Sequence, residues 1–108
     1  MTLETKYYDK LIRDKIPQII EATGGVCRTE ILEEGQYLSR LEEKLSEEVG
    51  EYLESGEEEE LADLLEVMEA LAKERGWLWE DVLALQREKR ERRGGFEKRL
   101  LLTEVVKG

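Results

Sequence analysis

The sequence has no histidine, one cysteine and one proline. Without histidine, Ser-His and Cys-His catalysis and most zinc sites are excluded. A lone thiol, Cys27, excludes an internal disulfide and suits a reducing compartment such as the cytoplasm. Cys27 itself reads as a small core residue, not a nucleophile. No apolar run reaches the roughly 18 residues of a membrane span, and the N-terminus carries no signal-peptide core. Repeats and Pro/Gly/Ser linkers are missing too, so residues 1–108 read as one domain. Positive charge is also scarce: 17 Lys and Arg stand against 27 Asp and Glu, a formal charge of -10. Such a surface does not seek nucleic acid or anionic membrane. A chain this short buries only about two-thirds of its unfolded surface, which favours association with a second copy.

What is present is helical punctuation. "RDKIPQIIEATGG" reads as a short helix, capped by Asp14, with Pro17 in the first turn and Gly24-Gly25 as the stop. "VCRTEIL", residues 26–32, alternates and is β-branched, which predicts a short strand. A long amphipathic helix follows over 36–54, broken at Ser55-Gly56. Ser55 and Glu58 have capping-box spacing for the next helix, 57–75, which Gly76 closes. A charged helix over 79–93 ends at Gly94-Gly95, and "FEKRLLLTEV" reads as an extended partner for 26–32. The expected fold is mainly α with a minor two-stranded β element. Trp77 and Trp79 read as packing groups.

Helical phase sorts the carboxylates. On the 36–54 helix, Leu38, Leu41, Leu45, Val49 and Tyr52 form one stripe. At about 100° per residue, Glu48 falls roughly 60° from its centre, Glu51 lies at the margin, and Glu47 points away. On the 57–75 helix the stripe is Leu61, Leu64, Met68 and Leu71. Glu60 falls about 40° from that centre, with Asp63 at the same margin. Each helix therefore carries an acidic pair at i, i+3 on the edge of an apolar face. An antiparallel hairpin would bring Glu48, Glu51, Glu60 and Asp63 together near its turn. Burying an unpaired charge costs several kcal/mol, roughly. Protonation, a salt bridge to Lys44 or an arginine, or divalent cations would each compensate. Oxygen-only ligation favours Mg²⁺ or Mn²⁺ over Zn²⁺. The wide stripes also predict that two hairpins join as a four-helix bundle in a homodimer or larger assembly.

Glu48-Val49-Gly50-Glu51 and Glu60-Leu61-Ala62-Asp63 form the ExxE and ExxD pair that marks the MazG-like, all-α nucleoside triphosphate pyrophosphohydrolase superfamily, and the sequence resembles that superfamily. "YDKLIRDKIPQII" and "RGGFEKRLLL" resemble the two ends of a small branch described as phosphoribosyl-ATP pyrophosphohydrolase-like, so the likeness spans nearly the whole chain. It implies Mg²⁺-dependent cleavage of a nucleoside triphosphate into a nucleoside monophosphate and pyrophosphate. It also implies helical dimers or larger assemblies. The link between Glu51 and Glu60 is shorter than in many relatives, which leaves the substrate open.

The residue chemistry suits that reaction. Glu47 or Glu48 would orient the attacking water. Lys10, Arg13, Lys15, Lys44 and Arg93 are candidates to hold phosphates, as are the other basic residues of 87–99. Three other readings compete. One is phosphoribosyl-ATP hydrolysis in histidine synthesis. Another is a non-enzymatic acidic interaction module. The last is a nucleic-acid binder using 87–99, disfavoured by the interleaved Glu88, Glu91 and Glu97.

Overall fold

A computed structural model describes residues 4–108. Among these described residues four helices follow one another: α1 (Ile16–Ala22), α2 (Glu34–Ser55), α3 (Glu58–Glu74) and α4 (Trp79–Arg93). The mainly helical expectation holds, and three of the helices fall within two residues of the ranges read from sequence. Among the described residues, no helix is long and apolar enough to cross a membrane.

Local chemistry explains the boundaries. Pro17 lies in the first turn of α1, where a missing N–H costs nothing. Asp14 does not cap this helix, because Lys15 holds the cap position without a side-chain bond. At the start of α2 the Gln36 side chain accepts the Glu33 N–H at 3.3 Å. Gly56 ends α2 in the left-handed region at φ 67°, a conformation that costs glycine little, and donates to the Tyr52 carbonyl at 2.8 Å. The expected Ser55–Glu58 capping box does not form. Ser55 instead completes α2, and its hydroxyl accepts the Glu57 N–H at 3.2 Å. Acids in the first turn of α4 and arginines in its last turn both complement the helix dipole.

α2 and α3 pack along each other as a hairpin. Arg75, past the end of α3, reaches Glu42 in the first half of α2 at 3.9 Å, so the two run antiparallel. α4 packs on α3 only. The core is small: among the described residues, Leu41, Val67 and Ala72 are the buried apolar ones. The molecule is long, 74 × 31 × 23 Å, with a radius of gyration of 19.6 Å. A compact domain of this length would measure about 13 Å.

Several expectations are corrected. No strand forms at 26–32 or 96–105. Val26, Ile31, Phe96 and Leu100 to Leu102 are all exposed, so neither segment gains the apolar burial that a two-stranded ladder requires. Cys27 is half-buried and not a core residue. Trp77 is exposed, with the Arg75 guanidinium 5.8 Å from its ring centre, while Trp79 is half-buried. Val49, Leu61 and Met68, placed by phase in the buried stripes, remain 39%, 51% and 42% exposed. α3 carries apolar residues around more than one face, and α2 with the start of α4 covers only part of them.

Candidate metal centre

Three carboxylates meet near the α2–α3 turn. Glu48, Glu60 and Asp63 each offer an oxygen, and these atoms lie within 4.8 Å of one another. Helical phase carries them inward. Glu48 follows the buried Leu41 by seven residues, two turns along the same face of α2. Glu60 precedes the buried Val67 by seven and Asp63 precedes it by four. Any residue set at those offsets from the core is pulled against the facing helix.

Compensation within the chain is incomplete. Glu48 is only 6% exposed. Its Oε1 lies 3.5 Å from Lys44 Nζ, which also donates to Glu47 at 3.4 Å. Glu48 Oε2 and Glu60 Oε2 are buried without any hydrogen-bond partner. Burial pushes the Glu48 carboxyl above its usual range; the Glu51 charge adds to this and Lys44 opposes it. Burial likewise pushes Glu60 up, followed by the charges of Glu51, Asp63 and Glu48. Asp63 Oδ1 accepts a 2.7 Å bond from the Arg13 guanidinium. Those two side chains are 56% and 34% exposed, and pairs of that kind contribute about 1 kcal/mol or less. An orphaned buried acceptor costs roughly 1–3 kcal/mol, and more when charged. The Arg13 pair therefore does not offset the cluster. A divalent cation among the three carboxylates would, and an all-oxygen donor set matches Mg²⁺ or Mn²⁺.

The sequence-derived sites divide clearly. Glu48, Glu60 and Asp63 come together as expected. Glu51 acts on Glu48 and Glu60 through its charge but lies outside the group of three. Glu47 leans on Lys44 at the edge of the cluster. Arg13, Lys15 and Lys44 line a cavity of about 430 Å³ that also takes in Glu48 and Asp63. Lys10 stays outside the lining and sits 5.7 Å from the Tyr8 ring centre. Arg93 ends α4, and among the described residues no ion pair or hydrogen bond links it to the cluster.

Phase along α2 alone did not anticipate the cavity wall. Leu11, Ile12 and Tyr37 complete it beside Leu41 and Val67. Burial raises the Tyr37 phenol, and the Glu74 and Asp14 charges add to the effect, so it stays a neutral donor. Tyr37 precedes Leu41 by one helical turn, which is the signal that marks it. The strap before α1 gave no periodic signal. It is tied down by Arg40, which bonds the Asp9 carboxylate at 2.7 Å and the Asp9 carbonyl at 3.4 Å.

No family model, curated protein or solved structure matches the chain. Its functional reading therefore rests on these side chains and on the motif likeness described above.

Proposed function

We propose that the protein is a divalent-cation-dependent nucleoside triphosphate pyrophosphohydrolase of the MazG-like kind, releasing a nucleoside monophosphate and pyrophosphate. The observation that carries this is the Glu48–Glu60–Asp63 group, with Glu48 buried, the other two half-buried and two oxygens orphaned, opening onto a cavity lined by Arg13, Lys15 and Lys44. Acids alone would repel a triphosphate. Cations alone would bind one without a means to activate water.

Glu48, Glu60 and Asp63 would hold the cation, with Glu51 adding charge from outside. A bound Mg²⁺ or Mn²⁺ supplies Lewis-acid stabilisation of the developing phosphoryl charge. With Glu48 committed to the cation, Glu47 would orient the water; its 3.4 Å pairing with Lys44 supports this. Lys44, Arg13 and Lys15 neutralise phosphate oxygens from the cavity side. Water would add to one phosphorus of the α–β bridge as its proton passes to the Glu47 carboxylate, the bond from that phosphorus to the bridging oxygen would break, and nucleoside monophosphate and intact pyrophosphate would separate.

The proposal includes a homodimer or larger assembly. Leu53, Leu61, Leu65 and Met68 are exposed on the hairpin, and the chain is far more extended than a self-sufficient domain. A second hairpin would cover that face and complete a four-helix bundle. Arg93 and the rest of 87–99 would reach phosphates only from such a neighbour.

Product chromatography tests the reaction on a panel of ribo- and deoxyribonucleoside triphosphates plus phosphoribosyl-ATP. Monophosphate and pyrophosphate in equal amounts are expected from at least one of them. Orthophosphate would mean β–γ cleavage. No turnover with Mg²⁺ or Mn²⁺ would favour the interaction module.

A further inference from the structure

Arg13 and a cation at the triad want the same carboxylate. We infer that Arg13 is a metal-released phosphate ligand: a divalent cation displaces its guanidinium from Asp63, and the freed guanidinium then binds the substrate's phosphates. The inference rests on the metal centre proposed above.

Four observations carry it. Arg13 Nη2 lies 2.7 Å from Asp63 Oδ1, and Asp63 is one of the three converging carboxylates. The pair is half exposed, so little holds it against a competitor of twice the charge. Arg13 lies in a strap outside the helices, whose backbone is secured near it only by the bond from Ile16 N–H to the Arg13 carbonyl, at 3.1 Å. The strap's other fastening, Asp9 to Arg40, attaches it to α2 and involves none of the three carboxylates. Releasing Asp63 therefore lets Arg13 swing while the strap stays attached.

The electrostatics give the direction. With no dication, Arg13 is the nearest positive charge to Asp63. A cation bound by Asp63 makes that position repulsive for a guanidinium. The cavity beside it, shared with Lys15 and Lys44, is where a polyphosphate would bring compensating negative charge. Phosphate binding is thus favoured only after the metal has bound; before that Arg13 is held on Asp63 and the uncompensated carboxylates repel anions.

Two measurements test this on the full-length protein. Calorimetry with Mg²⁺ compares wild type with Arg13→Ala and Arg13→Lys. Removing the competing cation should tighten Mg²⁺ binding, by up to about fivefold given the strength of exposed pairs, with Lys in between. NMR of the Arg13 side-chain Nε–H, assigned by its loss in Arg13→Lys, then follows Mg²⁺ and inorganic pyrophosphate in turn. It should be restrained at first, mobile with Mg²⁺, and restrained again once pyrophosphate is added. Equal or weaker Mg²⁺ binding by Arg13→Ala would overturn the inference and make Arg13 an orienting partner of Asp63, leaving the metal centre intact. An Arg13 signal unmoved by Mg²⁺ would overturn it too. Failure of wild type to bind Mg²⁺ would remove the metal centre and the inference together.

Discussion

The α2–α3 hairpin and the C-terminal third, α4 with residues 94–108, are built from similar proportions of charge but differ in what they bury. Among the described residues, the hairpin holds all the buried ones, including Glu48. α4 has none, and Phe96 through Val106 expose nearly all their apolar side chains. The hairpin has a dominant apolar phase into which two acidic pairs are inserted. α4 half-buries only Trp79, Val82 and Leu83 at its start, where it packs on α3, and from Arg87 on it places Arg, Lys and Glu all round. The acidic site is therefore intrinsic to one chain, whereas any role for Arg93 depends on a second body.

Mutations should separate the two regions. The largest effect is expected at the site: Glu48→Gln should lose Mg²⁺ binding and at least about a thousandfold of turnover, read by calorimetry and pyrophosphate release. The same variant should melt higher than wild type when no metal is present. The sign follows from the raised Glu48 pKa. Its ionised form is disfavoured in the folded state, a penalty absent below the unfolded pKa and complete above the folded one. Added Mg²⁺ should reverse the order by stabilising wild type alone.

Next in size is the core. Leu41→Ala should cost roughly 2–5 kcal/mol by denaturant unfolding. Leu101→Ala, in the exposed C-terminal segment, should cost less than about 0.5 kcal/mol. A large loss at Leu101 would mean that this segment is buried against a neighbouring molecule. Met68→Glu addresses the open hairpin face: light scattering should show wild type as a dimer or larger and the variant as a monomer.

The smallest effect is on pH. Metal requires ionised carboxylates, and Glu48 and Glu60 both titrate above the ordinary range. Mg²⁺ affinity should therefore begin to fall on acidification at a higher pH than ordinary carboxylates would dictate. Affinity flat down to the usual carboxylate range would show that these two groups do not control binding.

How much of this could be read from residues alone follows the same division. Helical phase located the hairpin and drew Glu48, Glu60 and Asp63 inward, because a strong stripe dictates what faces the neighbour. It overstated Val49 on α2 and Leu61 and Met68 on α3, since the apolar residues of the hairpin exceed what its packed neighbours cover. Alternation at 26–32 suggested a strand, but alternation describes half-buried surface, and nothing buries Val26 or Ile31. The Arg13–Asp63 pair spans fifty residues of sequence and obeys no period, so only the three-dimensional arrangement reveals it.

Crystals soaked in Mn²⁺ and measured at its absorption edge give the decisive test of the acidic site. An anomalous peak is expected between α2 and α3, within coordination distance of oxygens of Glu48, Glu60 and Asp63. A fully ordered triad with no peak, or a peak held only by other residues, would contradict it.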